Sequence, residues 1–224
     1  MADFDAIARA AAGSQLEILG GFHPTADDAV PAIGAVKAGT LLLLGPLEPG
    51  FWTHLRVSAE FADGRPDPLD RWSQRVIGAL ATRFAGQAVY PFSGPPWLPF
   101  HRWALRSGRA WRSPVGLLVH QTAGLWMSFR GALVLTDVLT LPAMPQQGPC
   151  ARCADQPCRT ACPVGALDPS GYDVPACRAF LETPDGSDCL TGGCIVRRSC
   201  PVSRGHARQA DQSAYHMQHF LRGA

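Results

Sequence analysis

All eight cysteines of this chain fall between Cys150 and Cys200, and the first 149 residues contain none. A chain of 224 residues is long enough to bury a sizeable core without disulfide staples. Thiols crowded into one short stretch therefore point to a local chemistry rather than to a cross-linked scaffold. They also divide the sequence into a long cysteine-free part, 1–145, and a short thiol-rich part, 146–224. The Pro-Ala-Met-Pro-Gln-Gln-Gly-Pro stretch, 142–149, reads as the link between them.

The remaining composition narrows the class. Apolar residues make up 46% and charged residues 17%, which is the balance of a globular protein. Thr40-Leu-Leu-Leu-Leu44 is strand-sized, far short of the roughly 20 apolar residues of a membrane span. The start, Met1-Ala-Asp-Phe-Asp, has neither the basic nor the apolar part of a secretion signal. The expected setting is the reducing cytoplasm, with no membrane partner. Net charge is +2, and all basic residues but Lys37 are arginine. No basic cluster with interleaved aromatics marks a nucleic-acid surface.

The first part mixes helices and strands without a βαβ rhythm, which predicts an α+β fold. Residues 3–12 are alanine-rich and helix-prone. Glu17–Phe22 and Thr40–Gly45 read as strands, and a helix is expected from Glu48. From Asp67 to Phe84 the apolar residues Leu69, Trp72, Val76, Leu80 and Phe84 recur at spacings of three and four. That predicts a helix capped by Asp67, opened by Pro68 and stopped by Gly86. Val89–Phe92 is expected to be a strand. Val115–His120 and Leu125–Leu135 are expected to pair antiparallel across Gln121–Gly124. The sequence contains no phosphate loop, dinucleotide fingerprint or nucleophile elbow.

In the second part the cysteines form two groups, each closing on Cys-Pro. The spacings are Cys150-x2-Cys153-x4-Cys158-x3-Cys162-Pro163 and Cys177-x11-Cys189-x4-Cys194-x5-Cys200-Pro201. Disulfides suit an oxidising compartment. Zinc sites favour paired Cys-x2-Cys elements, and this chain has one such pair. Iron–sulfur cubanes explain more of the pattern, because two cubanes consume eight thiolates. In such runs the cysteine before proline ligates the neighbouring cluster. Two oxidised cubanes with their thiolates would move the formal charge from +2 to about −2. Arg152, Arg159, Arg197 and Arg198 stand in place to offset it.

Pro157-Cys-Arg-Thr-Ala-Cys-Pro-Val-Gly-Ala-Leu167 resembles the double-cubane ferredoxin motif, with a longer loop between Cys153 and Cys158. Asp173-Val-Pro-Ala-Cys-Arg-Ala-Phe-Leu-Glu-Thr183 is similar to the element carrying the fifth cysteine in epoxyqueuosine reductases and related corrinoid iron–sulfur enzymes. By that resemblance Cys150, Cys153, Cys158 and Cys200 hold one 4Fe-4S cluster, and Cys162, Cys177, Cys189 and Cys194 hold the other. The module would be ferredoxin-like. Upstream, Arg112–His120, Gly124–Leu135 and Asp67-Pro-Leu-Asp-Arg-Trp72 resemble segments of the CblC-type cobalamin-processing proteins. That implies a nitroreductase-like first domain with a corrinoid near Arg112, Val115, Gly116, Trp126 and Arg130. Two departures argue against reduction of a modified transfer RNA base. Tyr90-Pro-Phe-Ser-Gly lacks the family's catalytic aspartate, and His120 does not stand in an Asp-x-His-x-x-Gly pattern. The expected function is single-electron transfer, either to a cobalamin in the first domain or as a carrier to a redox partner protein.

Overall fold

A computed structural model of the chain describes residues 3–223. Asp3 accepts the Ala6 N–H at 2.6 Å and starts α1 (Phe4–Ala12), which buries Ile7 and Ala11. The elements that follow are β1 (Leu16–Phe22), β2 (Thr40–Pro46), α2 (Gly50–Arg56), α3 (Ala59–Ala62) and α4 (Pro68–Arg83). After these come β3 (Gln87–Val89), α5 (Phe100–Arg106), β4 (Ala110–Arg112), β5 (Leu118–His120) and β6 (Gly131–Leu135). The chain is an α+β protein, and it separates into two compact units. One comprises Met1–Arg109 with Ser128–Pro145; the other comprises Ala110–Met127 with Gln146–Ala224.

The first unit is built on one antiparallel sheet of order β1-β2-β6-β3. All seven residues of β2 and all five of β6 are buried. An unbroken apolar run fits a strand covered on both faces, where alternation would leave polar groups inside. Helix α4 turns Leu69, Trp72, Val76, Ile77 and Leu80 into the core, the face its periodicity predicts. Its ends differ from expectation. Asp67 stands at the N-cap position with φ +53 but makes no side-chain cap bond. At the other end the Gly86 N–H reaches the Ala81 carbonyl at 2.8 Å and the Ala85 N–H that of Thr82 at 3.3 Å. Ala85, with φ +50, takes the left-handed position, so the turn that ends the helix falls one residue before the glycine.

The expected pairing of Val115–His120 with Leu125–Leu135 does not form. Strand β5 instead pairs with β4, Trp111 opposite Val119. The Ser113 N–H bonds to the Leu117 carbonyl at 2.8 Å, and Gly116 takes φ +75 in the turn. Strand β6 inserts between β2 and β3, Leu42 opposite Leu133. The single apolar stretch 125–135 is thus cut in two, and the expected division at 145 is corrected: residues 110–127 belong with the cysteines.

The second unit continues with the two-residue strands β7 (Leu167–Asp168) and β8 (Gly171–Tyr172). Five helices follow: α6 (Val174–Leu181), α7 (Ser187–Gly192), α8 (Ile195–Ser199), α9 (Pro201–Gly205) and α10 (Ala210–Arg222). Its core joins Val115, Val119 and Leu125 to Cys158, Leu167, Val196 and Cys200. Seventy-odd residues, about the length of 146–224, rarely build a sufficient core alone. The borrowed hairpin supplies the missing apolar surface. Among the described residues no helix is long and apolar enough to cross a membrane.

Candidate metal centre

Each cysteine sits on a short turn or a helix end. Cys150 lies in a 3-10 turn, Pro149–Arg152, and Cys158 in another, Pro157–Arg159. The longer loop between Cys153 and Cys158 is taken up by Gln156, which adopts φ +37. Cys162 precedes Gly165, whose φ of +62 turns the chain so that the Ala166 N–H donates to Cys162 Sγ at 3.2 Å. Asp173 caps α6 by accepting the Ala176 N–H at 2.9 Å, and Cys177 rides on that helix. Cys189 belongs to α7. Gly193, with φ +87, breaks the chain so that Cys194 stands at the start of α8. Cys200 is extended between α8 and α9, with Pro201 opening the latter.

These turns gather the thiols into two fours. Cys150, Cys153, Cys158 and Cys200 line one cavity of about 680 Å³. Cys162, Cys177, Cys189 and Cys194 line a second, small cavity of about 20 Å³. In each four, one thiol comes from the other end of the motif: Cys200 joins the early three and Cys162 the late three. The Ser113, Val119, Gln121 and Leu125 side of the first cavity comes from the segment around β5. Apolar Val164, Leu167, Phe180, Leu181 and Val196 enclose the second.

The electrostatics follow the same partition. Burial, and then the thiols of Cys158, Cys200 and Cys153, push the Cys150 thiol up to about 11. Cys158 is raised by burial and then by Cys200 and Cys153. Cys177 is raised by burial, with Cys194, Cys162 and Cys189 adding to it, against a hydrogen bond from Tyr172. Burial also raises Cys189, with Cys194 contributing. Crowded, desolvated thiols resist becoming thiolates unless a cationic centre takes the charge. All eight cysteines are free of disulfides. Among the described residues no group of three or more His, Cys, Asp or Glu stands close enough together to hold one metal ion. The donor chemistry, four soft thiols to each cavity with none left over, fits a pair of thiolate-bound clusters.

Donors and cations surround the second four. Although Tyr172 is 40% exposed, its hydroxyl bonds to Cys177; burial and then that bond hold the phenol above its ordinary range. The Ile195 backbone bonds to Cys189. The guanidinium of Arg197, its pKa lowered by burial, lies beside Cys194 and donates to the Leu125 carbonyl. Arg198 acts on Cys189, donates to the Gly193 carbonyl at 2.9 Å and pairs with Asp188. Arg159 stands by Cys158 and Arg152 lines the first cavity.

No protein-family model, curated protein or solved structure matches this chain.

The five residues expected around a corrinoid are not gathered in one unit. Arg112, Val115, Gly116 and Trp126 lie in the second unit and Arg130 in the first. Val115 is core, clustered with Cys158 and Cys200. At Gly116 an added Cβ would stand 3.2 Å from the Asp168 carbonyl. Trp126 lies 5.1 Å beneath the Arg208 guanidinium and close over Gly193. Arg112 is exposed at the end of β4. Arg130 is buried, paired with Asp70, bonded to Ser73 Oγ at 3.2 Å and set over the Phe92 ring. Tyr172, and Ser203 whose Oγ accepts the Leu125 N–H at 2.8 Å, are not legible in the sequence because neither belongs to a cysteine spacing. The one available signal was position, since Tyr172 precedes Asp173-Val-Pro-Ala-Cys177 and Ser203 follows Cys200-Pro201.

Proposed function

We propose that the second unit is a ferredoxin-like module holding two 4Fe-4S clusters, and that the protein transfers single electrons. Cys150, Cys153, Cys158 and Cys200 would ligate one cluster, and Cys162, Cys177, Cys189 and Cys194 the other. The observation that carries this is the sorting of eight thiols into two cavities of four, each completed by a cysteine that precedes a proline. Bound there, the clusters would supply one-electron chemistry over a potential range the protein sets through hydrogen bonds, charge and exposure. The chain's own residues supply thiolates, dry walls and N–H and O–H donors to sulfur.

In this reading the first unit is a nitroreductase-like α+β domain, and the protein works in the reducing cytoplasm. The acceptor is a redox partner protein or, by the resemblance to corrinoid enzymes, a cobalamin. Val115 is part of the core, and the reading assigns it no corrinoid contact.

Anaerobic purification tests the reading. About eight irons per chain, with broad absorption toward the blue end of the visible region, are expected; stoichiometric zinc without iron would overturn it. Cys200→Ser should damage only the cluster of Cys150, Cys153 and Cys158. Cobalamin added to the loaded protein should be retained or change its spectrum if it is the acceptor; no change leaves the partner protein.

A further inference from the structure

The two cavities differ in room, lining and charge. That of Cys162, Cys177, Cys189 and Cys194 is nearly filled by apolar side chains. That of Cys150, Cys153, Cys158 and Cys200 extends well beyond its sulfurs, to about 680 Å³. Arg152 and Arg204 line it and are exposed, against one lining carboxylate, Asp155. Both arginines are set by the turns that set the thiols. Arg152 stands between Cys150 and Cys153, and the Arg204 N–H bonds to the Cys200 carbonyl at 3.1 Å. Among the described residues neither makes an ion pair. Exposed Arg112 adjoins lining residue Ser113, and exposed Arg159 follows Cys158.

The segments that carry the other four thiols have the opposite sign at their surface. Asp168, Asp173, Glu182, Asp185 and Asp188 are exposed there. Arg198 is spent on Asp188, and Arg178 on the ring and carbonyl of Phe220. One cavity therefore has a cationic rim around a wide opening, and the segments around the other carry exposed carboxylates over a filled cavity.

We propose that the redox partner docks over the cavity of Cys150, Cys153, Cys158 and Cys200, and that the docking face of this partner is acidic. The proposal rests on the two-cluster reading. Transient electron-transfer encounters bury little area and draw orientation from charge. Loading two clusters makes the chain net negative, and the arginine rim offers an acidic partner local attraction at the mouth of the thiol cavity. That approach leads to the thiols with the widest opening. In the exchange one electron leaves the chain for each acceptor molecule reduced, and no atom or proton is transferred.

The test uses the full chain, loaded anaerobically, with its iron counted and both cluster signals recorded before the kinetics. Dithionite-reduced protein is freed of excess reductant and mixed with ferricyanide, an anion, or hexaammineruthenium(III), a cation, at low and high salt. An acidic flavodoxin serves as the protein probe. Oxidation by ferricyanide and by flavodoxin should slow as salt rises, and oxidation by the ruthenium complex should not. Arg152→Glu with Arg204→Glu should slow both anionic acceptors about tenfold at low salt and leave iron content unchanged. Asp185→Lys, beside the other four thiols, should slow neither anionic acceptor and should also leave iron content unchanged. Native rates and salt dependence in a fully loaded double variant would overturn the proposal, as would a larger effect from Asp185→Lys. Arginine-dependent binding of duplex RNA without any effect on flavodoxin would overturn it in favour of a nucleic-acid surface. Failure of the native chain to load iron would instead sink the two-cluster reading, and the docking proposal with it.

Discussion

The backbone N–H of Leu125 donates to the Oγ of Ser203 at 2.8 Å, across a separation of 78 residues. This bond fastens the hairpin segment to the helix that follows Cys200. Beside it, Gly124 has φ +57, and a Cβ there would stand 2.5 Å from the Ser203 nitrogen. The wall of the first cavity therefore depends on Leu125, a residue remote in sequence from every cysteine. Ser203→Ala should lower the stability of the loaded protein by about 1–3 kcal/mol, the cost of a buried donor left unmet. Gly124→Ala should cost more, because backbone must move. Thermal melts with iron counts check this: loss should appear first in the cluster of Cys150, Cys158 and Cys200. An unchanged melt in both variants would show that the hairpin is held by other means.

The Tyr172 hydroxyl bonds to Cys177, and its ring stacks on Phe220 at 5.8 Å. A donor to a ligand sulfur stabilises the more electron-rich state of a cluster. Tyr172→Phe keeps the stack and removes the donor. Its expected effect is a lower reduction potential for the cluster of Cys162, Cys177, Cys189 and Cys194, with the other unmoved. Potentiometric titration followed by electron paramagnetic resonance measures both in one sample, and equal shifts in the two would refute the assignment.

Arg130 and Asp70 form an ion pair in which the arginine is 9% exposed and the aspartate 34%. Taking away Asp70 deprives a buried guanidinium of this carboxylate, a change that costs about 3 kcal/mol or more when the pair is fully enclosed and less here. Asp70→Asn should therefore lower the urea midpoint of the first unit, while Arg130→Met with Asp70→Leu should recover much of it. Iron content should be the same in all. Changed iron loading in Arg130→Met would restore Arg130 as a residue of the redox site.

The legible parts of this molecule are those where one local pattern has one outcome. The run through Thr40–Pro46 is apolar at every step, so it reads as a doubly covered strand and becomes one. The spacing of Leu69, Trp72, Val76 and Leu80 allows only one buried face. Residues 115–119 and 131–135 are also apolar, yet hydrophobicity does not say which sheet a strand joins. That was decided by the Ser113–Leu117 turn with Gly116 at φ +75, and by the space between β2 and β3. Cap rules failed at Ala85 for a related reason. Composition favours Gly86 as the left-handed residue, but a Cβ at Gly86 would lie 2.6 Å from the Val134 carbonyl. Gly86 is reserved for close packing, and Ala85 turns the chain. Cysteine spacing, through the reach of a short loop, limits which neighbouring thiols can meet, while the assignment into two fours is what the resemblance implies. It carried no information on the walls, which come from another stretch of chain.

Glu17 lies on β1 close to Glu48, and burial, then that second carboxylate, raise its pKa from 4.5 to about 7. The folded state thus holds a proton that the unfolded chain releases near pH 4.5. Its contribution is full below that value and drains away as pH rises through 7. The shift, discounted for the solvent that still reaches the group, is worth on the order of 2 kcal/mol. The native protein should lose that much between pH 5 and pH 8, relative to Glu17→Gln, which cannot ionise. Urea midpoints of the two proteins at both pH values test it: the variant should be the more stable at pH 8 and close to native at pH 5. A difference that stays constant across the range would mean that Glu17 is already ionised in the fold, and that the carboxylate pair is solvated.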